Sequence, residues 1–373
     1  MQYGNNTSPL KALAAEAAQP ISRRSALKGA MASALMLTGG ASLVSACSRK
    51  SDLASNELPV QILSSEGNQV LTINSLVKEK GYFKEFGLAA TSTPVASGTN
   101  IVGALVSGRA DICIFAGFSQ LILAVEKGAR LKILGGASMK GQQALFSKNP
   151  QVQHVKDLEG RSIGIGAIGA QLHQVVVALL RKKGVDVNKV KFVSVGSSGD
   201  VFRAVAAGVV DAGNGQADVL ASLDKFGVHM VQDGDYAVDL PEYTWQAAFA
   251  PIDAIEKKRE TLVRALAAYC KAFRYVQNPG SKDDFIKAQL DALGEKNHDA
   301  IVAGATSQWD YLQKRKIYAE DLVISPERVQ YMQELNMQVS GQKKIIPYEQ
   351  LIDTSLAKEA VERLGSAPAG KQS

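Results

Sequence analysis

Two stretches decide the fold that this sequence predicts: ALVSGRAD at 104–111 and AVAAGVVD at 204–211. Each has the pattern of a helix end, stopped by a glycine where the backbone turns left-handed, followed by a strand that begins with aspartate. The same helix-to-strand turn therefore occurs twice in one chain. This repetition predicts two α/β units, one after the other.

Strands and helices alternate on both sides of these stretches. The first unit has predicted strands at 59–63, 89–94 and 111–115 and helices at 70–80 and 100–107; the second has strands at 162–165, 191–195 and 211–213 and helices at 171–183 and 201–207. From 254 onward the pattern is helical, and one apolar face contains Leu262, Ala265, Leu266, Tyr269 and Phe273. A last segment at 351–364 closes the chain. The alternation favours an α/β fold with parallel or mixed sheets.

The N-terminal segment is predicted to be an export leader. SRRSALK at 22–28 contains the paired arginines of a twin-arginine address, and the weakly apolar run after it ends in VSAC at 44–47, which is typical of a bacterial lipoprotein cleavage site. We predict a signal peptide at 1–46, a lipid on Cys47 and a tether at 47–56. An ordinary helix or a membrane span is the alternative interpretation, and the run is about 18 residues long where a span needs ~20.

Composition indicates a globular protein of mild charge. Apolar residues make up 46% and charged residues 21%, and the formal net charge of +6 falls to +3 without the predicted leader. That charge is too small to indicate nucleic-acid binding. Besides Cys47, the chain has Cys113 and Cys270 in apolar segments. We expect both to be small buried side chains, with a disulfide between them as the alternative.

Several motifs, in the same order as in a known family, carry a resemblance. They are KEKGYFKEFGL at 78–88, the block at 98–116, VKDLEGRSIG at 155–164 and IIPYEQLID at 345–353. Through them the chain resembles the extracytoplasmic solute-binding proteins of bacterial ABC importers, in the group that binds nitrate, sulfonates, taurine and thiamine pyrimidine precursors.

The resemblance implies a two-lobed α/β fold of the periplasmic-binding-protein type II class, with two mixed-sheet lobes joined by a crossover hinge. Lobe one would comprise 57–151 and 243–373, and lobe two 152–242. A small solute would bind in the cleft between the lobes, and a membrane permease with its ATPase would receive it. The protein would be a monomer in the periplasm or on the outer face of the cell membrane, held there by the lipid on Cys47.

The turns that precede helices are the predicted ligand contacts, because strand ends and helix N-termini meet at the cleft of such folds and expose unpaired N–H groups. The candidates on these turns are Asn68, Gln69, Ser97, Gly98, Thr99, Gly117, Phe118, Ser119, Gly166, Ala167, Ile168 and Gly169. Lys140, Gln216 and Trp245, near predicted strand ends, add a cation, an amide and an aromatic surface. The alternative is that these residues are ordinary helix caps and turn glycines.

Signals for an enzyme are weak in this sequence. The spacing of GIGAIG at 164–169 fits a dinucleotide site, but the following strand at 191–195 does not end in the acidic residue that such a site needs. The four histidines are scattered, no H-E-x-x-H occurs, and the cysteine-rich stretch of the enzymatic relatives is missing. His173 either contacts the ligand or has a structural role. We therefore expect a binding protein without catalysis, cofactor or metal, and with no nucleic-acid partner.

The expected solute is a small organic molecule with an anionic or amide end and an apolar body, carboxylate-like or sulfonate-like. The stretch 164–171 contains no Ser or Thr, which argues against a simple sulfonate or nitrate site. Two other classes remain open: a lipoprotein that presents its ligand to a membrane receptor, and an exported enzyme that binds a cofactor.

Overall fold

A computed structural model describes residues 57–294 and 296–365 of the chain. The predicted signal peptide, the lipid site at Cys47 and the tether at 47–56 lie outside the described residues, as does the segment 366–373. These N-terminal features remain predictions.

The described residues form alternating strands and helices. The strands are β1 (Leu58–Ser65), β2 (Leu88–Val95), β3 (Ile112–Ala116), β4 (Leu131–Ser138), β5 (Gln143–Ser147), β6 (Ser162–Ile165), β7 (Lys191–Ser194), β8 (Ala212–Gln216), β9 (His229–Asp235) and β10 (Gln246–Pro251). The helices are α1 (Asn68–Glu79), α2 (Tyr82–Glu85), α3 (Gly98–Val106), α4 (Phe118–Glu126), α5 (Gln171–Lys182), α6 (Ser198–Ala206), α7 (Leu223–Phe226), α8 (Tyr236–Asp239), α9 (Ile252–Val276), α10 (Lys282–Leu293), α11 (His298–Arg315), α12 (Pro326–Val339), α13 (Tyr348–Leu351) and α14 (Ser355–Arg363). Most predicted elements begin and end within a few residues of these bounds.

Two mixed sheets are built on the same plan. The first has the order β2-β1-β3-β10-β4, with β1 parallel to β2 and β3, and with β10 antiparallel to β3 and β4. The second has the order β7-β6-β8-β5-β9, with β6 parallel to β7 and β8, and with β5 antiparallel to β8 and β9. The α/β architecture with two mixed sheets is the one that the sequence predicts.

The chain passes between the sheets twice. Residues 139–142 lead from β4 to β5, and residues 236–245 lead back from β9 to β10. The predicted start of lobe two at 152 lies after β5, although β5 pairs with β8 and β9 of the second sheet. We therefore place the start of lobe two at Gln143. The pattern of β5 alone could not show which sheet it joins, since all its residues are buried.

The two quoted stretches form the same turn in both lobes. Gly108 and Gly208 each have φ of 71°, the left-handed region that favours glycine. After each glycine the backbone closes the helix in the same way, with bonds from Arg109 N–H to Ala104 O and from Val209 N–H to Ala204 O. Each turn leads directly into a buried central strand, which is β3 in the first sheet and β8 in the second.

The long helix α9 covers the first sheet with its apolar face. The five residues of the predicted face are all buried: Leu262, Ala265, Leu266, Tyr269 and Phe273. Cys113 and Cys270 are also buried and carry free thiols, and burial raises the pKa of Cys270 to about 11. Within 57–294 and 296–365, we find no helix with the length and apolar character needed to cross a membrane.

Candidate functional site

The two lobes meet where the first turn of α1 faces the end of β8. Asn68 begins α1 in lobe one, and Asp218 follows β8 in a 3₁₀ segment, Ala217–Ser222, of lobe two. The Asn68 side-chain amide donates a hydrogen bond of 2.6 Å to Asp218 Oδ2. This bond connects two residues that are 150 positions apart in the chain, one on each side of the predicted cleft.

Asp218 is half-buried beside α11. A Cβ placed on Gly304 would lie 3.3 Å from Asp218 Cβ, so the glycine allows a close approach of α11 to the backbone and Cβ of Asp218. Burial raises the pKa of Asp218, and the hydrogen bonds from the Asn68 side chain and from the backbone N–H groups of Val219 and Asp218 counteract this only in part. No ion pair among the described residues includes Asp218.

Two buried amides beside these contacts have atoms without hydrogen-bond partners. Gln69, next to Asn68, is 1% exposed; its Nε2 donates to Tyr318 Oη at 2.9 Å, while its Oε1 has no partner among the described residues. Gln308 is fully buried, and neither its Oε1 nor its Nε2 has a partner there. Gln308 lies one turn after Gly304 and thus on the same face of α11. Buried polar atoms are rarely left unpaired, so such a cluster indicates a place for a ligand or water.

Gln216 completes this side of the cleft from the end of β8. Its Nε2 donates to Ser198 Oγ at 3.3 Å, which connects β8 to the first turn of α6. Gly67, before α1, faces it: a Cβ added there would lie 3.5 Å from Gln216 Oε1. The predicted residues Asn68, Gln69 and Gln216 therefore lie together.

The strands that carry the crossovers add further uncharged groups. Gln246, at the start of β10, donates to Ser65 Oγ at 2.7 Å and accepts from Ser138 Oγ at 3.2 Å. Gln143 Oε1 and Thr244 Oγ1 are buried and lack partners among the described residues. Hydroxyl and amide groups thus dominate the region where both crossovers begin and end.

A second contact between the lobes joins the first turns of α4 and α5. Gln171 of α5 reaches lobe one, where its Nε2 donates to Trp245 O at 2.6 Å. Gly117 leaves room for this side chain, since a Cβ there would lie 2.9 Å from Gln171 Oε1. Trp245 is 3% exposed and stacks on Tyr236, with ring centroids 6.2 Å apart. Gly117 and Trp245 therefore lie at the junction of the lobes.

Other predicted contacts have roles inside lobe one. Phe118 is 1% exposed and packs edge-on against Phe249. Ser119 donates to Gln120 Oε1 at 2.7 Å, and a Cβ on Gly98 would lie 2.9 Å from the same oxygen. Ser97 caps α3 by accepting from the N–H of Asn100, and Thr99 is exposed. Within the described part of the chain, neither Ser97 nor Thr99 forms a hydrogen bond to lobe two. Their role as ligand contacts stays a prediction.

The turn before α5 forms an exposed edge of lobe two. Ile168 is 63% exposed and Ala167 is exposed too, while Gly166 is buried against Gly196 O. Gly169 has φ of 78°, and its N–H donates to His173 Nδ1 at 3.0 Å. His173 is therefore used to hold this turn, and burial lowers its pKa.

Lys140 lies on the first crossover and is engaged away from the Asn68–Asp218 pair. Its Nζ donates to Arg315 O at 3.0 Å, at the end of α11. Burial is the main cause that lowers the pKa of Lys140, and the nearby Arg328 and Arg315 lower it further. Lys140 therefore belongs to a group of cationic side chains with Arg315 and Arg328.

The glycine motif at 164–169 does not have the surroundings of a dinucleotide site. Among the described residues no group of three or more His, Cys, Asp or Glu is arranged to hold a metal ion. In the glycine motif, a Cβ on Gly164 would meet Val210 and Val201 at 3.1 and 3.3 Å, so this glycine serves helix-to-sheet packing. Asp200, the nearest acidic residue after β7, accepts from the N–H and Oγ of Ser197 as a helix cap.

Asp218, Gln308 and Gln171 are site residues that were not among the ligand contacts predicted from the sequence. Gln171 followed the predicted glycine turn and could have been added to it. Asp218 follows Gln216 by two residues and could have been found by extending the strand end. Gln308 gives no signal in its own helix, since its importance comes from α11 packing on Ala217–Ser222.

Comparisons with known proteins agree with the fold. The family model described as NMT1/THI5 like matches residues 70–281. A Bacillus subtilis (strain 168) protein described as "Putative binding protein YtlA" is 25% identical over 296 residues, which cover 76% of this chain and 84% of that protein.

Two solved structures share the fold. The periplasmic aliphatic sulphonate binding protein SsuA of Escherichia coli has a TM-score of 0.64 at 18% identity, covering 80% of this chain and 98% of that one. The periplasmic nitrate-binding protein NrtA of Synechocystis PCC 6803 has a TM-score of 0.65 at 11% identity, covering 84% and 91%.

Proposed function

Because the chain belongs to the NMT1/THI5-like family, we propose that it is the solute-binding component of an ABC uptake system. It captures a small organic solute between its lobes and delivers it to a permease with its ATPase. The relatives named above are described as binding proteins, and we propose binding without catalysis for this chain as well.

One observation carries this proposal: the polar site is shared between two lobes, which the crossovers at 139–142 and 236–245 connect. Asn68 and Gly117 of lobe one meet Asp218 and Gln171 of lobe two. A solute between such surfaces contacts both lobes, so its binding energy favours the closed arrangement over the open one. A permease can distinguish the two arrangements by the relative position of the lobe surfaces.

We further propose that the solute carries a carboxylate-like or sulfonate-like group. The helices α3, α4 and α5 begin at three of the predicted turns, and the first backbone N–H groups of a helix have no partner within it. Helix N-termini stabilise negative charge. The apolar part of the solute would lie towards Trp245.

The proposed location is outside the cytoplasm. The twin-arginine leader at 1–46 would export the chain, and a lipid on Cys47 would hold a monomer at the membrane through the tether at 47–56. The test is labelling with radioactive palmitate in a bacterial host. We expect wild type to be labelled and a Cys47→Ala variant to be unlabelled; equal labelling would contradict the anchor.

Binding is tested by a thermal-shift screen of the purified protein. The panel contains nitrate, alkyl and aryl sulfonates, aliphatic and aromatic carboxylates, pyrimidines and purines. A ligand at one hundred times its Kd adds ~2.7 kcal/mol to the stability of the folded state, which raises Tm by several degrees. We expect one chemical class to respond. A protein that responds to none, and that releases no small molecule when denatured, would contradict the proposal.

A further inference from the structure

Arg328 lies in the first turn of α12, beside the two crossovers that connect the lobes. The helix begins with Ser325 as its cap and Pro326 as its first residue, and Ser325 Oγ accepts from the N–H of Arg328. Both features are typical of a well-defined helix start. The backbone of Arg328 is therefore held in place, and its half-buried side chain extends from a helix of lobe one.

The guanidinium of Arg328 donates to carbonyls of both crossovers. Its Nη1 donates to Met139 O of the first crossover at 3.0 Å and to Glu242 O of the second at 3.3 Å. Its Nη2 donates to Pro241 O, also of the second crossover, at 2.7 Å. A guanidinium is planar and rigid and carries five N–H donors, so one such group can fix several acceptors relative to each other.

The three carbonyls depend on this side chain. Within the parts of the chain that the structure describes, no backbone N–H donates to Met139 O, Pro241 O or Glu242 O. Hydrogen bonds from a charged donor are stronger than those between neutral groups. Removing the guanidinium would therefore take away the attachment of both crossovers to α12 at this point.

The crossovers also touch each other directly. A Cβ added to Gly141 of the first crossover would lie 2.3 Å from Tyr236 Cβ of the second, so a larger residue would push the two segments apart. At the other end of the second crossover, Trp245 N–H donates to Ser138 O, where the first crossover begins, at 2.9 Å. The two segments thus run side by side, and Arg328 binds both.

This arrangement restricts how the lobes can move. Two lobes change their relative angle by backbone rotation in the segments that connect them. Such a rotation would move Met139 O relative to Pro241 O and Glu242 O, and a rigid guanidinium cannot follow both crossovers. At least one of its hydrogen bonds would then break, which makes separation of the lobes less favourable.

We propose that Arg328 is a positioning residue, which clamps the two crossovers and so favours the arrangement with the lobes in contact before any solute binds. This inference rests on the proposed function and deepens it, because it assigns control of lobe closure to a residue whose contacts are with the crossovers. Arg328 acts on the solute only through the position of the lobes. A larger population of the contacting arrangement raises the apparent affinity for a solute that bridges the lobes.

The experiment measures the distance between the lobes in the ligand-free protein. Nitroxide labels are attached to Asn100→Cys in α3 of lobe one and to Lys225→Cys in α7 of lobe two, both at exposed positions, and the distance distribution is obtained by double electron–electron resonance. A Cys47→Ala background prevents labelling at Cys47. The protein with Arg328 is compared with Arg328→Met and with Arg274→Met, and a thermal melt of each variant shows whether it is folded.

Arg274 is the matched control because it makes similar contacts inside one lobe. It is half-buried, and it donates to Glu320 O at 2.8 Å and to Gly365 O at 3.0 Å, both in lobe one. Its removal also takes a guanidinium away from two carbonyls but leaves the crossovers untouched. A loss of stability alone should therefore affect Tm in both variants and the distance between the lobes in only one.

We expect Arg328→Met to raise the ratio of separated to contacting molecules about tenfold, because a hydrogen bond from a charged donor no longer opposes separation. Arg274→Met should keep the distribution of the parent protein. If Arg328→Met is unfolded, Arg328→Lys is measured in its place. A single ammonium nitrogen cannot replace Nη1 and Nη2 at once, so we expect a shift in the same direction.

Three outcomes overturn the inference. An unchanged distribution in the folded Arg328 variant would show that the clamp does not control the lobes. An equal shift in Arg274→Met would show that any loss of stability separates them. A parent protein whose lobes are already mainly separated would show that Arg328 does not keep them in contact. Because no solute is present, each of these results leaves the proposed binding function to be decided by the thermal-shift screen.

Discussion

Asp111 and Asp211 occupy the same place in the two lobes and do the same work. Asp111 Oδ2 accepts from the N–H of Gln61, at 2.9 Å. Asp211 Oδ2 accepts from the N–H of Ser162 at 3.0 Å and from its Oγ at 2.7 Å. Each aspartate thereby binds the neighbouring parallel strand, β1 in lobe one and β6 in lobe two. It does so at an end of the sheet, where the backbone N–H groups would otherwise need water as a partner. The repeated sequence thus gives both lobes the same hydrogen bond, from a backbone N–H of a neighbouring strand to the aspartate.

Replacing Asp211 should destabilise lobe two. We expect Asp211→Ala to lower the free energy of unfolding by about 2 kcal/mol, because hydrogen bonds to a charged acceptor are lost and their donors remain. Burial opposes ionisation of Asp211, but the bonds from Ser162 and Asn149 outweigh it and lower its pKa. Urea denaturation measures the effect. Asp224→Ala, at an exposed site, should change the free energy by less than about 0.5 kcal/mol; an equal loss in both variants would contradict the assigned role.

His173 should make stability depend on pH. Burial lowers its pKa below the ordinary 6.5, so the folded protein prefers the neutral ring that accepts from Gly169 N–H. The unfolded chain binds the proton more readily, and this contribution to stability is therefore complete above pH 6.5 and is lost as the pH falls below it. Between pH 7.5 and 5.5 we expect the Tm of wild type to fall more steeply than that of His173→Gln. Parallel curves would contradict this.

At the scale of elements, the last described helix, α14, is attached to α9 through ion pairs. Glu260 in α9 accepts from Arg363 of α14 at 2.9 and 2.6 Å and from Arg264 at 2.6 Å. Arg259 also reaches Glu359 of α14, at 3.2 Å. These contacts hold α14, close to the end of the described chain, against the helix that covers the first sheet.

The Glu260 cluster should respond to both acid and salt. The hydrogen bonds from Arg363 and then Arg264 lower the pKa of Glu260 to about 2, so its contribution is present above the ordinary value of 4.5 and is lost as the pH falls toward 2. At pH 7 we expect Glu260→Gln to lower Tm by about 2–4 °C, since exposed ion pairs contribute about 1 kcal/mol in such clusters. The exposed Glu256→Gln is the control. A deficit that persists unchanged in 1 M salt would contradict an ionic origin.

The sequence predicted the individual helices and strands better than it predicted which distant elements contact each other. The helix face from Leu262 to Phe273 follows from spacing and is buried as expected. The family resemblance is confirmed by the match over residues 70–281. By contrast, the contact of Gly304 with Asp218 depends on how α11 packs, and no spacing rule relates residues so far apart. Phe118 shows that the position of a turn does not determine where its side chains point. The turn before α4 lies between the lobes, but the aromatic ring of Phe118 packs in the core on Phe249.

At the scale of the molecule, Gln171 connects the lobes without a charge. Its bond to Trp245 O crosses the junction at 2.6 Å, next to Gly117. Uncharged contacts of this kind are weak enough to be broken when the lobes separate, because one neutral hydrogen bond contributes about 1 kcal/mol. The lobes can therefore respond to a ligand whose binding energy is only moderate.

Removing the Gln171 contact should favour the open arrangement. We expect Gln171→Ala to raise the radius of gyration of the ligand-free protein in solution scattering and to weaken solute binding about fivefold, which corresponds to about 1 kcal/mol. In a Trp309→Phe background, Trp245 is the one tryptophan left in the chain, and its emission should report the same change. Gln330→Ala, exposed on α12, should behave as wild type. Unchanged scattering and emission in Gln171→Ala would contradict the assigned role of this contact.

The position of β10 also determines the order in which the chain can fold. All five strands of the second sheet lie between Gln143 and Asp235, in one continuous stretch. The first sheet, in contrast, has β10 between β3 and β4, so β4 has no neighbouring strand until residues 246–251 have been synthesised. Contacts between distant parts of the chain form slowly. Lobe two can therefore form on the ribosome while lobe one is still two separate pieces, and lobe one then completes around it.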